Sequence, residues 1–265
     1  MIPGRNTLNA TLEGVGFWCN GLPTWDAARA FVRSGVRPEA APARPSPQLL
    51  APNERRRAPE SVAVALEVAL AACEAAGRNP ASLPSVFAST HGDLAITDYI
   101  CSTLASEPAS VSPTRFHNSV HNAAAGYWTI GAGCTQSATA ISAYDATFAQ
   151  GLLEALAQLN AGAPAVLLVA YDAGSPGPLG AISRSHGLLG AALVLSSPSH
   201  SGAPRLRATL VDADAPPPQG PLADLAGGNA MAPMLPLFDA LATGHDLLSL
   251  HAGPRRALRV EIAYG

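Results

Sequence analysis

The sequence predicts a layered α/β fold, and three observations carry that expectation. Three short apolar runs, 83–89 (LPSVFAS), 163–171 (APAVLLVAY) and 190–196 (GAALVLS), have the length and continuity of strands buried on both faces. Helical patterns flank them, so strand and helix alternate along the chain. No repeat with a period of about 20–50 residues is visible. The 265 residues suffice for a single domain, 1–265, with a sizeable core.

Taken in order, residues 9–19 (NATLEGVGFWC) read as an opening strand rich in β-formers. Thr24 to Val32 reads as a short helix capped by Thr24. Residues 37–52 hold five prolines and read as an extended loop. A long helix follows from Ala58 to Ala76, with Pro59 in its first turn and Gly77 ending it. Its apolar positions Val62, Leu66, Val68, Leu70 and Cys73 are too many for one stripe, so it is expected to be buried on more than one side. Residues 93–105 fit a helix capped by Asp93, and Asn118 to Ile130 fits another. Gly131 to Gly133 breaks the chain, Ser137 to Ser142 is strand-like, and Thr147 to Leu159 is helical. Residues 205–213 alternate and suit an edge strand. A proline-rich loop at 215–221 precedes a helix near 231–243, and 257–264 (ALRVEIAY) reads as the last strand.

Composition narrows the function classes. Hydrophobic residues make up 48% and charged residues 13%, which leaves little polar surface for a lone monomer. Part of the surface is therefore expected to lie under a partner. Net charge is −3 with no concentrated basic face, which argues against nucleic acid. The one basic run, Arg55-Arg56-Arg57, reads as a solvated helix start. Four cysteines, Cys19, Cys73, Cys101 and Cys134, show no CxxC or zinc spacing, so no cofactor or metal is expected. No secretory signal pattern opens the chain and no apolar stretch reads as a stable membrane insertion, so a cytoplasmic location with reduced thiols is expected.

The segment Ser112 to Glu154 is the most informative. Its S-P-x-x-F-x-x-S-V-x-N-x-x-A-G run leads through a helix and a strand to the turn Ser142-Ala143-Tyr144-Asp145-Ala146-Thr147. This resembles the first half of a β-ketoacyl synthase, a condensing enzyme of the thiolase fold. Residues 178–196 (PLGAISRSHGLLGAALVLS) resemble the run that closes that half, with Arg184 and Gly187 in place and its G-E-G degraded to Leu189-Gly190-Ala191. The resemblance is best over 84–196 and faint over Met231 to Tyr264. It implies a truncated thiolase-like fold, α-β-α with a mixed sheet, lacking much of the second half.

In that family the turn carries the acyl-accepting cysteine at the head of a helix, where the macrodipole and free N–H groups favour the thiolate. Here the equivalent position falls at Asp145, and a carboxylate cannot hold an acyl thioester. The family's two catalytic histidines sit in H-G-T-x-T and K-x-x-x-G-H motifs, and neither is present. Thr243-Gly244-His245 is a chance echo. The short form with S-A-Y-D-A-T-F-A looks like the chain length factor of aryl polyene or xanthomonadin-type type II polyketide systems. That resemblance implies no catalytic residue, a heterodimer with a full-length ketosynthase, and indirect contact with acyl carrier protein and its acyl chain. It places the interface or tunnel wall on Asn118, His121, Tyr127, Trp128, Ile130, Gln136, Thr139, Ile141, Tyr144, Asp145 and Phe148. Trp128, Tyr127, Ile130 and Phe148 are expected to supply its large buried areas, and Asp145 to be packed or hydrogen-bonded inside.

Two other readings stay open. A stand-alone acyl-transfer or thiolase-like enzyme would use Cys134 or a buried Asp145 acting as a base. A scaffold would bind carrier protein or synthase without influencing chain length. His117 and His121, four apart, could share a helix face but lack a third ligand. His91 with Asp93 follows a strand end, the usual place for α/β function. His186, His200, His245 and His251 read as surface or loop positions.

Overall fold

A computed structural model describes residues 7–198 and 202–265. Its elements run β1 (Thr7–Cys19), α1 (Trp25–Ser34), α2 (Pro52–Arg57), α3 (Glu60–Ala76), β2 (Ser85–Ala88), α4 (Leu94–Ser106), α5 (Pro113–His117), α6 (Ala123–Gly131), β3 (Ala138–Ile141), α7 (Thr147–Asn160), β4 (Ala165–Asp172), α8 (Leu179–Ile182), β5 (Leu189–Ser196), β6 (Arg205–Val211), α9 (Pro221–Ala226), α10 (Leu235–Thr243), β7 (Leu247–Gly253) and β8 (Arg256–Ala263). The eight strands form one sheet in the order β3-β2-β4-β5-β1-β6-β8-β7. β3, β2 and β4 are parallel, and every later pairing is antiparallel, so the sheet is mixed as expected.

Local chemistry sets the element ends. Thr24 accepts the Ala27 N–H and caps α1, and Gly35 in the left-handed region closes it. Asp93 accepts the Ile96 N–H and caps α4. Every residue of β4 and β5 is buried, because helices cover both faces there. One face carries α3 and α6, the other α7 with α10. α3 lies against β1 where Gly14 and Gly16 leave room. A Cβ on Gly16 would meet the Val68 carbonyl oxygen at 2.0 Å, and one on Gly14 the Ala72 oxygen at 2.2 Å. That approach explains why ten of the 17 residues of α3 are buried.

α7 is the longer helix of the other face, with eight of its 14 residues buried. Phe148, Leu152, Ala155, Leu156 and Leu159 all lie in its core, and each large side chain contributes about 2 kcal/mol by leaving water. β3, at one end of the sheet, and β7, at the other, both pack on α7. The sheet therefore curls around this helix, and Gln150 Nε2 donates to the Ala252 carbonyl at 2.8 Å to tie the far end down.

Several expectations are corrected here. β6 is not an edge strand: it pairs with β1 on one side and β8 on the other. The edge at that end of the sheet is β7, a strand the sequence did not reveal, so His251 is a strand residue rather than a loop position. Arg55-Arg56-Arg57 ends the separate helix α2 instead of starting α3, because Pro59 takes the N-cap position of α3. The helix expected from Asn118 begins only at Ala123; Asn118 to Asn122 form turns after α5. His200 lies outside the described residues.

Candidate functional site

The three parallel strands end on the same side of the sheet, at Ile141, Ala88 and Asp172. The loops beyond such ends are where open α/β sheets place their function. After Ile141 the chain turns through a 3₁₀ turn, Tyr144–Ala146, into α7. Tyr144 has φ of +53°, one of two non-glycine residues in the positive range among those described. A bulky side chain there costs roughly 1–2 kcal/mol, which the surroundings must offset. Buried Thr147 does part of this: its Oγ1 accepts the Ala143 N–H at 2.9 Å and donates to the Tyr144 carbonyl. Thr90 Oγ1 donates to the same carbonyl at 3.4 Å, and Ser142 Oγ donates to the Thr90 carbonyl at 3.0 Å.

The turn contains no thiol. The strained residue is Tyr144, one position before Asp145, and its ring is exposed. Asp145 is not inside. Its side chain is 61% exposed and pairs with His251 Nε2 on β7 at 3.4 Å. The buried setting that a catalytic base at Asp145 requires is missing. Cys134 is buried three residues beyond α6, with Sγ 3.5 Å from the Leu83 carbonyl.

Beside the turn lies a buried polar knot. Asp172, fully buried, receives the Ser89 hydroxyl at 2.7 Å, the Thr90 N–H at 3.0 Å and the His91 N–H at 3.2 Å. Burial pushes its carboxyl above the usual carboxylate range, and these donors pull it part of the way back. The Ser89 carbonyl lies 2.8 Å from His121 Nε2, and Ser183 Oγ lies 3.2 Å from His91 Nε2. Asn229 Nδ2 donates to the Asp172 carbonyl at 3.1 Å and also reaches the carbonyls of His186 and Gly187. Sequence reasoning missed Asp172 and Asn229. The signal for Asp172 was present: a carboxylate directly ends the apolar run Ala165 to Tyr171, at the carboxyl end of a parallel strand.

The expected interface residues divide. Trp128 is fully buried against Phe87, with ring centroids 6.4 Å apart, and Phe148 is buried against Phe238. Both fill the chain's own core, which corrects their assignment to a partner surface. Asn118 is buried as well, accepting from the Tyr127 hydroxyl at 3.2 Å. Ile130, by contrast, is 85% exposed, and Gln136 is exposed. Thr139 and Ile141 are half-buried on β3, whose outer edge has no strand beside it among the described residues. Phe116 and Val120, not foreseen, are also exposed. From residue 116 to residue 144 the chain has no Asp, Glu, Lys or Arg. His117 is exposed and His121 turns toward Ser89, so the pair does not converge. Among the described residues no group of three or more His, Cys, Asp and Glu side chains is placed to hold a metal ion. Nor is any helix among them long and apolar enough to cross a membrane.

A mixed sheet with helices on both faces, and a strand-to-helix turn at the end of a parallel edge strand, define a thiolase-like layered fold. The sequence profile described as β-ketoacyl synthase, N-terminal domain, matches residues 25–252, and the chain belongs to that family. No curated protein sequence matches it. Among solved structures, it is similar to the ketosynthase ApeO in complex with its chain length factor ApeC from Xenorhabdus doucetiae. The identity is 22% and the TM-score 0.74, over 96% of this chain and 99% of that one. The ishigamide ketosynthase/chain length factor gives 14% and 0.74, over 98% and 99%. A β-ketoacyl synthase from Burkholderia phymatum gives 16% and 0.57, over 88% of this chain and 71% of that one. At these identities the likeness is one of fold.

Proposed function

We propose that the protein is a noncatalytic chain length factor that pairs with an active ketosynthase in the cytoplasm and helps shape its acyl tunnel. The carrying observation is a strained strand-to-helix turn, with its following helix intact, that holds no thiol. Tyr144 and Asp145 are the two candidates for the nucleophile-equivalent position, and neither side chain can accept an acyl group from a carrier protein as a thioester. The backbone strain favours Tyr144, and its exposed ring suits a role in walling off a partner's tunnel. The free edge of β3 and the uncharged stretch 116–144, with Phe116, Val120 and Ile130 exposed, suit a face covered by a synthase. The structures of ketosynthases with chain length factors match a chain of this length nearly end to end, which supports the same assembly. The resemblance of the turn motif to aryl polyene systems supports a polyene as the elongated chain. Burial of Cys134 and exposure of Asp145 disfavour a stand-alone acyl-transfer enzyme.

The test is to install the thiol. Tyr144→Cys and Asp145→Cys, each purified alone, are expected to remain inactive in condensation and in decarboxylation of a malonyl thioester. Recovery of either activity in the isolated chain would overturn the reading. An unchanged product length after Tyr144→Ala in the ketosynthase complex would favour a scaffold role instead.

A further inference from the structure

We propose that Asp172 is the positioning residue of the Ser142–Asp145 turn, fixing where Tyr144 projects toward the partner's acyl chain; this rests on the reading of that turn as a tunnel wall. The path is short and made of hydrogen bonds already described. Asp172 accepts from the Ser89 hydroxyl and from the N–H groups of Thr90 and His91, so it holds the loop after β2 in one shape. Ser89 Oγ in turn accepts the Gly92 N–H at 2.8 Å, closing that loop on itself. The loop then grips the turn at two points and the strand end before it at a third. The Ser89 N–H donates to the Ile141 carbonyl at 3.2 Å, the Thr90 carbonyl accepts from Ser142, and the Thr90 hydroxyl donates to the Tyr144 carbonyl.

Tyr144 needs such a grip because its positive φ is disfavoured for a side chain of its size. A conformation of that kind persists only where neighbours over-determine it. Thr147 supplies one clamp from the helix side; the Asp172 loop supplies the other from the strand side. A buried carboxylate suits the task, since acceptor-only oxygens can take several donors at once and water does not compete. Among the described residues the Asp172 carboxylate makes no hydrogen bond to the turn, so its hold on the turn passes through Ser89 to His91.

The experiment compares Asp172→Ala and Asp172→Asn with the unaltered full chain, by amide hydrogen exchange and by product length in complex with the ketosynthase. Asp172→Ala is expected to speed exchange at 89–92 and 142–147 by tenfold or more, with 205–211 and 256–263 unchanged, and to shift product length. Asp172→Asn, which keeps one acceptor oxygen, is expected to recover part of both effects. If Asp172→Ala does not fold, Ser89→Ala replaces it with the same expectation for 142–147. Unchanged exchange at 142–147, or an equal rise in the β6 and β8 amides, would overturn the proposal. Faster exchange with unaltered product length would uphold the brace and instead refute the tunnel-wall reading, so the two failures are distinct.

Discussion

The two sides of the sheet solve the same burial problem differently. On the parallel side, β3, β2 and β4 are short or fully buried, α3, α6 and α7 cover them, and their ends carry the turn and the polar knot. On the antiparallel side, β6 and β8 alternate, with Leu206, Ala208, Leu258, Val260 and Ile262 toward the core and Arg205, Arg207 and Arg259 outward. The first side builds the site. The second wraps β7 around to α7 and meets the site from behind through His251 and Ala252. A chain that belongs to the N-terminal ketoacyl synthase family thus encloses its nucleophile-type helix with its own final strands.

The largest expected effect tests whether the parallel side is a core or a partner surface. Trp128→Ala should destabilise the isolated chain by about 3–5 kcal/mol, read from its denaturant midpoint, because it empties a closed site beside Phe87. A loss under about 1 kcal/mol would mean that Trp128 is not core.

A second test contrasts the buried carboxylates of the two sides. Asp172 has a donor on each oxygen, whereas Asp239 on α10 accepts the Leu222 N–H with Oδ1 and its Oδ2 has no partner among the described residues. Burial pushes Asp239 up to about 6. Its folded-state value lies above the unfolded one, so the unfolded state binds fewer protons between them. Stability should therefore be highest below about pH 4 for this group and fall as pH rises through 6, by about 2–3 kcal/mol. Asp239→Asn should flatten that slope. A slope unchanged in the variant would assign the pH dependence elsewhere.

The smallest effect on the fold comes from the surface. Ile130→Arg should change the stability of the isolated chain by no more than about 0.5 kcal/mol. The same substitution should weaken the ketosynthase complex tenfold or more, read by titration calorimetry, since it puts a charge into an apolar contact. Equal affinity would remove α6 from the interface.

These contrasts also explain what the sequence disclosed. The apolar runs 163–171 and 190–196 had the length and bounds of buried strands, and Thr24 and Asp93 announced their helices, because burial and capping leave local signatures. The β6 alternation correctly showed one wet face, but a one-faced strand can be internal, so its place at an edge did not follow. β7 (LLSLHAG) escaped because four apolar positions in a seven-residue run suit helix and strand alike. At the site, the motif around Ser112 to Gly126 and the missing thiol were legible. Which large apolar side chains are bare was not: Trp128 and Ile130 are two residues apart on one helix, and only the packing of α6 decides that one is buried and the other exposed. The Asp172 knot joins residues more than 80 positions apart, a relation that local pattern does not encode.

The central claim is that this chain acts as the noncatalytic half of a ketosynthase pair. The most direct measurement is the solution mass of the protein alone and after co-expression with its cognate full-length ketosynthase. The account predicts a stable one-to-one complex that elongates carrier-bound acyl chains only when both subunits are present. A monomer or homodimer that ignores the synthase, with elongation unaffected by its removal, would contradict it.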